Sequence, residues 1–218
     1  VTLITDNFTS TTLGESNRLR TGNTGDGWVK KRFGDSLWTV SGGTVSNAGT
    51  GALDSALNEA GLIRAYDVVA AGLAAGLTEL TFTFDYTVGT GSTLYFHAIG
   101  MNGGTYSDSD NAQLHNFIPN GEIQSQYDND SYPTTGDFDG TNLKDGAASP
   151  TGQAAGAWAL TGSGTFSETV DISGYTGITD INDFQYITMG WGSNVTVFDG
   201  TGAITLDNFE FSAVPVPE

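Results

Sequence analysis

The stretch Thr81-Phe-Thr-Phe-Asp-Tyr-Thr-Val88 constrains this chain more than any other. Phe82, Phe84, Tyr86 and Val88 alternate with Thr81, Thr83, Asp85 and Thr87. Strict period two marks a half-buried antiparallel strand, with one face on a core and the other in water. Gly89-Thr-Gly-Ser92 supplies a turn, and Thr93-Leu-Tyr-Phe-His-Ala-Ile-Gly100 returns with apolar side chains on both faces. The two runs are expected to pair as a hairpin, with the returning strand central in its sheet.

Comparable runs recur along the whole chain, at 1–10, 28–33, 37–40, 62–69, 122–127, 158–160, 165–172, 184–191 and 195–198. Gly, Asn and Asp turns separate them, with a bend expected at Gly42-Gly43. The small-residue run 70–77 is interrupted by glycine and too short to hold a helix. These features predict an all-β fold, a two-sheet antiparallel β-sandwich that is jelly-roll-like and carries long acidic loops. The loop at 128–146 is expected to project. A chain of 218 residues buries about 70% of its unfolded surface, so it needs no disulfide or metal merely to fold. Residues 1–212 read as one domain and 213–218 as a Pro-rich tail.

The last strand, 203–212, breaks its own alternation. Ile204 and Leu206 share one parity, whereas Phe209 and Phe211 share the other. Both pairs can face one core only if the strand gains a residue, so a β-bulge is expected near Asp207-Asn208. The Asp-Asn-Phe of 207–209 repeats the Asp-Asn-Phe of 6–8, and the first and last strands are expected to pair or face one another. Prolines at 215 and 217 then end any central strand.

After that strand comes Val216-Pro217-Glu218. This ending resembles the start of the PEP-CTERM sorting signal of bacterial surface proteins, in which a terminal strand is followed by a Val-Pro-Glu-Pro-like motif, an apolar membrane helix and a basic cluster. The second proline, the helix and the basic cluster are missing here. The resemblance implies a secreted protein of the cell surface or extracellular matrix. The absence of cysteine fits export without disulfides, and Val1 suggests a removed leader. No apolar run approaches the ~20 residues of a membrane span.

Charge separates along the chain. Acids outnumber bases 25 to 7, a net charge of −18, which disfavours nucleic acid as a partner. Five of the seven bases, Arg18, Arg20, Lys30, Lys31 and Arg32, lie in the first 32 residues. Such a patch is either neutralised by acids of its own chain or meets the acidic face of another copy or an acidic polysaccharide. Subunit contacts are therefore expected through these bases and through the tail residues Val214, Pro215, Val216 and Pro217.

Little in the chain suggests catalysis. A glycosidase needs two carboxylates across a sugar bond, and neither 122–127 nor 168–173 carries the Glu-x-Asp-x-x-Glu of β-sandwich hydrolases. There is no Gly-x-Ser-x-Gly elbow, and two histidines without a cysteine do not complete a zinc set. His97, among apolar neighbours, reads as a hydrogen-bonded strand histidine. Calcium, which takes six to eight oxygen ligands, is the one cofactor to consider. Many jelly-roll carbohydrate-binding modules hold a structural calcium between their first and last strands. That architectural resemblance points to Asp207, with Asp6 as helper.

Three functions compete, and for the third, a glycan hydrolase, the sequence offers no pair of candidate carboxylates. The first is a structural protein of the surface or matrix that assembles with itself or adheres to exopolysaccharide. The second is a carbohydrate-binding module, which should expose aromatic rings among Trp28, Trp158, Trp191, Tyr106, Tyr127 and Tyr132. For Trp28 and Trp38, core or rim packing fits better than a sugar platform.

Overall fold

A computed structural model describes residues 1–13, 27–30, 38–47, 59–101, 140–146, 157–195 and 203–215. They form two antiparallel sheets. The first contains β1 (Thr2–Asp6), β3 (Trp38–Ser41), β4 (Thr44–Asn47), β6 (Glu79–Val88), β10 (Gly162–Asp171) and β12 (Ile204–Val214). The second contains β2 (Val29–Lys30), β5 (Glu59–Asp67), β7 (Ser92–Met101), β8 (Gly140–Asn142), β9 (Trp158–Leu160) and β11 (Tyr186–Val195). The expected sandwich is present. The expected strand at 122–127 and most of 195–198 lie outside the described residues.

β12 organises the first sheet. One flank pairs with β6 along its length, and the other is shared between β4, opposite Ile204–Leu206, and β1, opposite Phe209–Ser212. First and last strands therefore pair, as their shared Asp-Asn-Phe suggests. Asp207 pairs with Asp85 and Glu210 with Thr83, so β12 spends three steps where β6 spends two. That extra residue is the expected bulge. Asn208 takes φ 50°, a left-handed value that asparagine tolerates better than most residues. As a result Ile204, Leu206, Phe209, Phe211 and Ala213 all point into the core.

The hairpin expected between β6 and β7 is not formed. β6 pairs with β10 and β12, whereas β7 lies in the opposite sheet, between β11 on one flank and β8 and β9 on the other. At the turn, Gly89 still donates its N–H to the Ala203 carbonyl, just before β12 of the first sheet, and Ser92 already pairs with Val195 of the second. The turn is thus an arch over the core. Phe82 and Phe84 meet Phe96 across it, with ring centroids 5.5 and 5.0 Å apart. Alternation aims these rings at a core in either arrangement, so the pattern alone does not distinguish side-by-side pairing from face-to-face stacking. The central position expected for β7 is observed.

Other junctions follow local chemistry. Gly42 and Gly43, both at positive φ, close the β3–β4 hairpin. A single helical turn, α1 (Val68–Ala71), is capped by the Asp67 side chain at its start and by left-handed Gly72 at its end, and only Ala70 and Ala71 of the small-residue run 70–77 belong to it. The last strand runs further than expected. Val214 is in β12, its carbonyl accepting from Thr78 N–H, and Pro215, which has no N–H, stands just beyond the strand end. Among the described residues, no helix is long and apolar enough to cross a membrane.

Candidate functional site

β1 ends at Asp6, which turns inward toward the second sheet. Its Oδ1 accepts from Phe8 N–H at 2.8 Å and from the Thr11 hydroxyl at 2.6 Å. Its Oδ2 accepts from the Trp28 indole N–H at 3.0 Å and lies 3.8 Å from an Arg64 guanidinium nitrogen. Arg64 projects inward from β5, 1% exposed, with its guanidinium carbon 5.6 Å from the Trp28 ring. Trp28 stacks on Trp191 at 4.6 Å and meets Phe209 edge-on at 5.1 Å. Four chain segments converge on this pair of charges, and a hydrogen-bonded, paired ion is the form in which burial is tolerated.

Asp6 and Asp207, the residues expected to hold calcium, do not fit that ion. Asp6 already serves three hydrogen-bond donors and a guanidinium, so a divalent cation beside it would face a fixed positive charge. Asp207 lies on the other face of β12, opposite Asp85, and accepts from Asn208 N–H at 2.7 Å. The two aspartates do not converge on one point. Among the described residues, no group of three or more His, Asp or Glu side chains could hold a metal. His97 is fully buried, and burial together with the nearby Lys144 charge pushes its imidazole down to about 3. It is neutral at physiological pH.

The aromatic expectation needs correction at two positions. Trp28 and Trp191 are 0% exposed, as is Trp38, because all three fill the space between the sheets. Trp158 is half-buried on β9, stacked 5.7 Å from Phe96, with the Lys144 ammonium 5.9 Å from its ring. That ammonium also donates to the Ala157 carbonyl at 2.7 Å. Tyr106, Tyr127 and Tyr132 lie outside the described residues. So do Arg18, Arg20, Lys31, Arg32, Val216 and Pro217. Of the remaining expected contact residues, Lys30 is on β2, an edge of the second sheet, and Val214 and Pro215 are exposed.

The structure offers an aromatic side chain that the sequence reading did not select. Tyr95 alternates with the core residues Leu94 and Phe96 and so lies on the outward face of the second sheet, half-buried. Its cross-strand partners are Gly192 on β11 and Ala159 on β9, and Gly192 pairs in turn with Gly61 on β5. Tyr95 therefore rises from a row whose other members carry a methyl group or nothing. Thr93, two residues earlier on the same face, is half-buried beside it. A run apolar on both faces hid this residue. The detectable signal was the register that sets Tyr95 against Gly192, which depends on tertiary pairing.

The outward face of the first sheet is different in kind. Thr81 and Thr169 hydroxyls lie 2.8 Å apart across β6 and β10, with Thr83 and Ser167 at 3.4 Å in the next row. Asp85 accepts from the Thr165 hydroxyl at 2.5 Å and from the Asn208 amide at 2.9 Å, and these bonds hold its carboxyl below the usual range. This face carries hydroxyls and carboxylates in lateral register.

No protein-family profile matches the chain. No curated protein matches it. Several solved structures do. The chain resembles a putative sugar binding protein from Bacteroides thetaiotaomicron at 10% identity, over 98% of this chain and 100% of that one, with a TM-score of 0.49. It resembles a structure described as "CBM4 structure and function" at 13% identity over 86% of each chain, with a TM-score of 0.39. It also resembles the CBM22-1 xylan-binding domain from Paenibacillus barcinonensis Xyn10C at 11% identity, over 100% of this chain and 97% of that one, with a TM-score of 0.36. These are likenesses of architecture. Ligand and activity have to be argued from this chain's own residues.

Proposed function

We propose that this chain is an exported bacterial module of the cell surface or extracellular matrix that adheres to a polysaccharide without cleaving it. Tyr95 carries the reading. A partly exposed ring flanked by Gly192 and Ala159 offers an aromatic face to a sugar, and its hydroxyl and that of Thr93 are polar groups beside it. Export is supported by the resemblance of Val216-Pro217-Glu218 to a sorting signal and by the cysteine-free composition. Among the described residues a hydrolytic reading lacks a comparable foundation. Asp85 and Asp207 stand side by side on neighbouring strands of an open face, whereas hydrolysis asks for carboxylates on opposite sides of a bound sugar.

Retention on a panel of immobilised polysaccharides tests the reading, with Tyr95→Ala as the control. The variant should bind about tenfold more weakly, the equivalent of ~1.4 kcal/mol. Equal binding by both proteins, or no glycan retained by the wild type, would sink it.

A further inference from the structure

Strand length separates one edge of this fold from the others. β10 runs for ten residues and, among the described residues, pairs only with β6. The other edge strands, β1, β2, β3, β8 and β9, run for two to five residues. The outer flank of β10 is open to water. Its outward-facing residues Ser163, Thr165, Ser167, Thr169 and Asp171 are all exposed, whereas Thr81, Thr83 and Asp85 of β6, which has a strand on each flank, are half-buried.

An open edge offers backbone N–H and C=O groups to another chain. Proteins restrain such edges by shortness, proline, lysine, bulges or a charge turned toward the core. β10 lacks the first four. It contains no proline or lysine, and it matches β6 residue for residue, from Gly162 opposite Val88 to Asp171 opposite Glu79. It carries the fifth. Glu168 shares the core-facing side of the strand with Phe166 and Val170, which are 5% and 8% exposed, and it stands opposite the fully buried Phe82. Glu168 itself is exposed.

We infer that Glu168 keeps the β10 edge single, and that without its charge this edge pairs with the β10 of a second copy of the chain. A strand added along the open flank extends the core-facing row sideways, so Glu168 would have to give up water beside Phe166 and Val170. Moving an unpaired carboxylate out of water is costly. An apolar β-branched side chain at the same position reverses the sign, because its burial is favourable. The rest of β10 suits a second copy of itself. Antiparallel across a two-fold axis, with Phe166 facing its counterpart, Ser167 meets Thr165 and Thr169 meets Ser163. Those pairs repeat on the outer flank the hydroxyl contacts of Thr169 with Thr81 and of Ser167 with Thr83 on the inner one. β10 and Tyr95 belong to different sheets, and the inference is independent of glycan binding.

Sedimentation velocity on Glu168→Val tests it. The wild type should stay unpaired at β10, and the variant should self-associate at least tenfold more tightly. Glu168→Thr removes the charge without an apolar gain and should give a smaller rise; it decides the question if circular dichroism shows the valine variant misfolded. Adding Ser163→Lys and Ser167→Lys to Glu168→Val restores charge to the same edge and should return the monomer. Glu210→Val removes a carboxylate from β12, which is paired on both flanks, and should leave association unchanged. The chain has no cysteine, so a spin label on Ser167→Cys reports that position alone. In the Glu168→Val background it should find its counterpart in the second copy at short range. Folded Glu168→Val and Glu168→Thr proteins that associate no more than the wild type overturn the inference. So does wild-type protein in which the label already shows β10 paired. Association of Glu168→Val that the two lysines leave intact also overturns it, by placing the contact on another surface.

Discussion

The Arg64 guanidinium lies 3.8 Å from the Asp6 carboxylate, and the two belong to different sheets. The contact ties β1 to β5 through the core, with Trp28 donating to the same carboxylate. It occupies the part of the fold where an architectural resemblance had suggested calcium. A side-chain cation is already present there.

Two outcomes follow from this pair. Asp6→Ala removes the carboxylate beside a buried guanidinium and the acceptor of the Trp28 indole N–H, and urea unfolding should show a loss of about 3–5 kcal/mol. Adding a calcium chelator to the wild type should leave Tm unchanged. A chelator-dependent fall in Tm would mean that a metal shares the work assigned here to Arg64.

The bulge in β12 makes a second prediction. Deleting Asn208 restores strict alternation and turns either Ile204 and Leu206 or Phe209 and Phe211 out of the core. The deletion should abolish cooperative unfolding. Asn208→Ile keeps the residue count but places a β-branched side chain at φ 50° and removes the bond to Asp85, at a cost of about 1–3 kcal/mol. Asn208→Gly should cost the least of the three, measured by the same denaturant titration.

Gly100 is a third. The Phe184 ring fills the space a Cβ would need there, and both residues are buried. Gly100→Ala should therefore destabilise the protein by about 1–3 kcal/mol through overpacking. The double variant Gly100→Ala, Phe184→Leu should recover part of that loss. Full stability of the single variant would contradict the packing.

Acid should weaken the fold in two stages. The His97 imidazole is held near 3 in the folded protein, against 6.5 for the ordinary side chain. The unfolded chain therefore takes up its proton first. The stability tied to neutral His97 is fully present above pH 6.5 and falls as pH drops toward 3, by up to ~1.4 kcal/mol per pH unit. Asp85, Asp171 and Asp183 are all held below 3.8 by hydrogen bonds, so their contribution persists above that pH and is lost only below it. Unfolding free energies at pH 7 and pH 4.5 should differ in the wild type and differ less in His97→Gln.

Several features were legible from residue order because they rest on local stereochemistry. Alternation at 81–88 sets one face of β6 inward whatever its partners are. The parity switch between Leu206 and Phe209 requires an extra residue between them, and Asn208 supplies it. The shared Asp-Asn-Phe anticipated the pairing of β1 with β12, although the two copies do different work. Asp6 is buried in an ion pair, whereas Asp207 stands on the outward face.

The candidate site was far less legible, because its members owe their roles to neighbours distant in sequence. Arg64 looks like an ordinary surface base until Asp6 and Trp28 are brought to it. Tyr95 becomes the proposed sugar platform only when Gly192 and Ala159 are set beside it. Residue order by itself determined the strands, their buried faces and the bulge, since each follows from backbone geometry and the side chains within a few positions. Tertiary structure alone decided that β6 and β7 separate into opposite sheets, that Trp191 lies between them, and that Asp85 comes to stand opposite Asp207. Those outcomes depend on which strands pair, and pairing is chosen by burying the whole set of apolar faces at once.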